Sequence, residues 1–141
     1  MKKITQDELD DVLRLHKLWL DGDASGMRAD LSRADLSGVN LEGANLRGAN
    51  LKWADLSGAD LTGATLKWAN LKGASLKWVS LSGADLSRAN LKWANLEGAD
   101  LTGADLTGAD LRDAITKQAN FLAAATDGVL GLDVVNGKVV P

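Results

Sequence analysis

A chain of 141 residues and 14.8 kDa has room for one domain of ordinary size, which excludes an enzyme with separate cofactor and substrate lobes. Apolar residues make up 45% and charged residues 25%, with a single proline, so the chain is too rich in side chains that can be buried to be a disordered tail. There is no cysteine for disulfides, thiolate nucleophiles or zinc-thiolate centres, and 16 Lys+Arg against 19 Asp+Glu give a net charge of -3, far from the basic balance of a general nucleic-acid binder.

Residues 1–28 read as an N-terminal helical cap and lead-in. Lys2 and Lys3 are followed by Asp7, Glu8, Asp10 and Asp11, not by an apolar run, so no export signal is expected. No apolar stretch approaches the roughly 20 residues needed to cross a bilayer, and a soluble, cytoplasmic protein is expected. Thr5 and Glu8 have the spacing of a capping box; Leu9, Val12, Leu13, His16, Trp19 and Leu20 then fall at helical spacing until Gly22. This predicts one amphipathic helix over 6–20 whose apolar side sits on, or packs beside, the segment that begins at residue 29. His16, the only histidine, is read as part of that contact, because nothing near it supplies a partner for nucleophilic catalysis.

From residue 29 a period of five takes over. Leucine stands at 31, 36, 41 and every fifth place to 111, seventeen in all. Two places earlier stands alanine, except for Val39 and Val79, and the place just before each leucine is Asp, Asn, Ser or Thr. The phase continues with Thr116 and Phe121 in the leucine slot. Five matches neither the 3.6 of a helix nor the 2.0 of a strand, so either element would turn many leucines into water. A coil that turns a corner once per unit satisfies the pattern, with leucine and alanine inside and three positions outside. Asp or Asn before the leucine suits such corners by bonding to nearby backbone, and glycine two places after it tolerates a tight turn. Glycine fills ten of those seventeen places; Arg33, Trp53, Trp68, Trp78, Arg88, Trp93 and Asp113 fill the rest, and a positive φ is therefore not expected to be obligatory there.

Residues 124–141 read as a C-terminal cap. Asp133-Val134-Val135 and Lys138-Val139-Val140 flank Asn136-Gly137, a strong signal for a two-residue hairpin turn. The hairpin is expected either to close the last coil or to pair with a second molecule.

Units such as Ala-Asp-Leu-Ser-Gly, Ala-Asn-Leu-Arg-Gly and Ala-Asp-Leu-Thr-Gly resemble the repeats of the pentapeptide-repeat family, over about two thirds of the chain. The likeness is to bacterial and phage members, with engineering on such a template also open. It implies an all-β solenoid: a right-handed quadrilateral parallel β-helix with 20 residues per coil, which makes residues 29–123 a rod of about five coils, roughly 23 Å long at the spacing of paired strands. A short N-terminal α-helix would cap it.

Neither a catalytic residue nor a cofactor or metal site is expected: the calcium-binding parallel repeat has a different period, and no phosphate loop, nucleophile elbow or HExxH motif occurs. Sorting the exterior by 20 residues stacks Lys52, Lys72, Lys92 and Arg112 into one cationic column with Trp53 and Trp93 beside it, while the preceding side carries Arg47, Lys67, Trp68 and Arg88. The opposite side carries Glu42, Asp60, Asp100, Thr62, Ser82 and Thr102, with glycine at its corners; as an ice-binding surface it is poor, having one hydroxyl column. Indoles beside lysines suit a protein partner or self-association, or stacking on single-stranded nucleic acid with weaker support; otherwise they simply cover neighbouring coils. No membrane partner is expected. The reading is a non-enzymatic structural, protein-interaction solenoid. The family resemblance implies one alternative, a DNA-mimic gyrase-binding protein of the quinolone-resistance type, against which the cationic column and modest net charge both count.

Overall fold

In the computed structural model of residues 1–141, backbone pairing repeats every 20 residues. Single parallel bridges join Asp30 to Asn50, Asp35 to Asp55, Asn40 to Asp60 and Asn45 to Thr65, and each series continues at that spacing, one of them as far as Leu130. With units of five, the residue before each leucine falls into one of four columns, and the coil has four walls.

The amides of one unit show what the repeat is for. Leu61 N–H donates to Ser80 O at 2.8 Å and Gly63 N–H to Ser82 O at 2.9 Å, both in the next coil. Asp60 N–H donates to Val39 O in the previous coil at 2.9 Å, and Ala64 N–H closes the turn on Leu61 O at 3.0 Å. The fifth amide, of Thr62, has no backbone acceptor and donates instead to Asp60 Oδ1 at 3.0 Å. The same bond recurs from Arg47 to Asn45, Lys72 to Asn70, Lys92 to Asn90 and Thr102 to Asp100. Asp or Asn precedes the leucine because an amide two places on would otherwise go unpaired. Where Ser75 and Ser80 stand there, the amides of Lys77 and Ser82 have no protein acceptor, and the two serine hydroxyls pair at 2.8 Å with Ser57 and Thr62 of the coil before.

Inside, the leucines from Leu31 to Leu111 are each at most 2% exposed, interleaved with buried alanines. At about 2 kcal/mol per buried leucine, this stack is the main force closing the coil. It is strong enough to overrule local preference at the corners. The expectation that positive φ is not obligatory there is wrong: Arg33, Trp53, Trp68, Trp78, Arg88, Trp93 and Asp113 all hold φ between 57° and 63°, like the glycines of the same columns. Each non-glycine corner costs about 1–2 kcal/mol, accepted because the inward side chains on both flanks leave the backbone no other route.

The helix α1 (Gln6–Leu20) starts on a complete capping box: Glu8 N–H donates to Thr5 Oγ1 at 3.1 Å and Thr5 N–H to Glu8 Oε1 at 3.2 Å. Leu9 and His16 are its buried residues. Ahead of it Lys3 bridges Asp35, Ile4 N–H donating to Asp35 O at 3.1 Å, where a preceding coil would otherwise pair. At the far end the ladder outlasts the 29–123 span through Ala125 and Leu130. The strands β1 (Val134–Val135) and β2 (Lys138–Val139) then pair antiparallel, Val134 opposite Val139, about Asn136 and Gly137 with φ of 51° and 74°. That twist suits a two-residue hairpin. Between the hairpin and Thr116 to Ala123 lies a groove of about 980 Å³. No helix is long and apolar enough to cross a membrane.

Candidate interaction face

The wall bridged through Asn50, Asn70 and Asn90 is bordered on both sides by the residues singled out from the sequence. Along one border run Lys52, Lys72, Lys92 and Arg112, with the corner series Trp53, Gly73, Trp93 and Asp113. Along the other run Arg47 and Lys67, with the corner series Gly48, Trp68 and Arg88. Because each coil repeats the one below, residues 20 apart become neighbours along the rod.

Stacking places the indoles in a specific way. Trp53 lies along the rod over Gly73, so that a Cβ added there would overlap its ring. The space at this glycine brings Trp53 and Trp93 to 6.5 Å between ring centroids, tilted by 38°. Lys72 Nζ sits 4.7 Å above the Trp93 ring, and Arg88 lies 5.2 Å from that of Trp68. Trp93 Nε1 donates to Asp113 Oδ2 at 3.3 Å. Each indole thus covers the coil ahead, yet Trp68 and Trp93 remain 53% and 51% exposed. The lysines of this wall are half-buried.

Charge is distributed unevenly. Arg47, Lys52, Lys67, Lys72, Arg88 and Lys92 take part in none of the six ion pairs of the molecule. Arg112 is different: it makes a two-pronged contact with Asp110, at 2.9 Å from Nε and 2.7 Å from Nη2, which neutralises that end of the column. Arg112 accordingly holds Asp110 below the ordinary carboxylate range. The opposite wall and its corners, Asn40 to Gly43 and their equivalents to Gly103, contain no Lys or Arg.

Two contributors escaped the reading of the sequence. Gly73 makes room for Trp53, which only the 20-residue stacking reveals. Trp19, on α1, lies over Gly48 and so extends the Trp68 column by one coil. Trp78, the most exposed of the corner indoles at 61%, covers Gly98 on a different wall, beside the Lys77 and Glu97 ion pair, and is not part of this face.

A stack with one bridge per wall per coil, its leucines buried inside, defines a solenoid repeat protein. The chain belongs to the pentapeptide-repeat family, whose model, pentapeptide repeats in eight copies, matches residues 27–63, 49–88, 59–98 and 84–121. Among solved structures it is similar to a pentapeptide repeat protein of the Arabidopsis thaliana thylakoid lumen, at 34% identity and a TM-score of 0.67, covering 71% of this chain and 70% of that one. It is also similar to Rfr23 from the cyanobacterium Cyanothece 51142, at 32% identity and a TM-score of 0.57 over 72% of this chain, which spans 63% of the Rfr23 chain. The fold is the right-handed quadrilateral β-helix of that family. No curated protein matches the chain significantly.

Proposed function

We propose that the protein is a non-enzymatic interaction solenoid, a rod of about five coils capped by α1, that docks an acidic protein surface on the wall flanked by Lys52, Lys72, Lys92, Trp53, Trp93, Arg47, Lys67, Trp68 and Arg88. The observation that carries this reading is the coincidence, on one wall, of six cations without ion-pair partners with two exposed indoles, Trp68 and Trp93, and the half-buried Trp53, while the opposite wall has no cation at all. Indoles are favoured anchors in desolvated contacts, and unpaired cations around them select an acidic partner and speed its approach. Arg112, already engaged by Asp110, stands at the edge of this footprint.

The test is parallel affinity capture from cell extract with the wild type, the Trp53→Ala/Trp93→Ala variant and the Lys52→Glu/Lys72→Glu/Lys92→Glu variant, then calorimetry with each captured protein after purification. A partner held by the wild type and lost by both variants supports the reading. Captured proteins that bind all three alike remove it. A gyrase supercoiling assay is expected to show no effect, since a duplex mimic needs an acidic surface where this wall is basic.

A further inference from the structure

His16 is fully buried, at 0% exposure, between α1 and the first coil. Its Nδ1 accepts the Ala29 N–H at 2.9 Å, so that nitrogen carries no proton and the ring is neutral with its hydrogen on Nε2. Nε2 has no hydrogen-bond partner. It faces the Arg47 backbone, too poorly placed for a bond but near enough to favour a proton on the ring. The ring also stacks on Trp19, at 5.4 Å between centroids and 22° between planes, and Trp19 in turn lies over Gly48.

We propose that α1 is a pH-operated latch, closed on the first coil while His16 is neutral and released on mild acidification while the coils beyond it stay formed.

A proton added at Nδ1 would turn the acceptor of the Ala29 amide into a donor aimed at a donor, and would bury a cation. The charged groups around the ring do not help it. From the lead-in, Arg28 is the charge that acts on it, held in place by its own bond to Gly48 O. From the first coil, Arg47 presents its backbone. On α1 itself, Asp11 is paired with Arg14 and Asp21 with Lys17, on the exposed side. No carboxylate offsets the cost.

Burial accordingly pulls the His16 pKa below its ordinary value of 6.5, with the Arg47 backbone opposing and Arg28 reinforcing the shift. Closed α1 therefore binds fewer protons than open α1. The closed-to-open ratio is full above pH 6.5 and falls as the pH drops below it, by up to about tenfold per pH unit. The other ties of this segment do not titrate in that range: Thr5 holds the Glu8 carboxyl below 4.5, and Ser37 holds that of Asp35 below 3.8.

The experiment is amide hydrogen exchange of the full chain at about pH 7.5 and about pH 5, corrected for the intrinsic pH dependence of exchange, with the amides of the middle coils as internal reference. In the wild type, protection of α1 and of the Ala29 amide is expected to drop tenfold or more relative to the middle coils. In the His16→Asn variant, whose amide oxygen does not titrate, the relative protection of α1 is expected to be the same at both values, whether the helix is held or free. Wild-type α1 and middle coils that keep their ratio overturn the proposal, as does a His16→Asn variant that responds to acid as the wild type does.

Discussion

Gly73 and Gly63 occupy the same corner position on different walls, with φ of 68° and 66°, and differ in what surrounds them. Nothing lies within 4 Å of a Cβ built at Gly63, whereas one at Gly73 would overlap the Trp53 ring. Gly63→Ala should therefore cost only the left-handed backbone, about 1–2 kcal/mol. Gly73→Ala should cost more, and the excess should vanish in a Trp53→Ala background. Chemical denaturation of the four proteins measures this directly; equal costs at both glycines would show that Trp53 does not rest on that corner. The same contact accounts for tryptophan and arginine at corners where glycine is the easy choice. Trp53, Trp78 and Arg88 return part of that backbone cost by lying on the coil ahead, over Gly73, Gly98 and Gly108 respectively.

A single wall is not a strand of a sheet but a ladder of one-residue bridges, and its weak point in acid is the carboxylate that holds the turn. Ser32, Ser37 and Thr102 hydroxyls each donate to the aspartate two places back at 2.6 Å, with the backbone amide as second donor. These bonds hold Asp30, Asp35 and Asp100 below their ordinary value of 3.8. Groups with a depressed native pKa stabilise the fold above the unfolded value and lose that contribution as the pH falls through the native one. In a His16→Asn background, where the latch does not titrate, stability of the coils should then be level from about pH 7 to about pH 5 and decline below about pH 4. Denaturant midpoints across that range check it, and a midpoint at pH 3 equal to that at pH 7 would refute the role given to these side chains.

On the scale of the whole rod, interior and exterior separate cleanly. Leu71→Ala leaves a void in a stack where every neighbour is also fully buried and should cost about 2–5 kcal/mol. Changing Lys52, Lys72 and Lys92 together to Glu alters no ion pair and should leave the melting temperature within a few degrees of the wild type. Calorimetric melting of the two variants decides this, and comparable destabilisation would mean that the lysine column is part of what holds the coils together.

Much of this was legible because the repeat is local. Seventeen leucines at a strict interval of five identify a coil without reference to any other part of the chain, and Thr5 with Glu8 marks the start of α1 in the same way. Asn136-Gly137 likewise announces its hairpin. Sorting residues by 20 even placed the cationic column on one wall. Other features depend on contacts between coils and stayed hidden. The sequence shows that Trp53 replaces a glycine but not that the backbone there is left-handed, because the constraint comes from the leucines on either side being held inside. The space over Gly73, the arrival of Trp19 on the Trp68 column and the bond from the Ala29 N–H to His16 Nδ1 arise only once the chain has closed upon itself. Periodicity is a property of the chain and survives without the fold. The direction in which a tryptophan lies and the charge a histidine can carry are set by neighbours 13 or 20 residues away, which are brought within reach by packing alone.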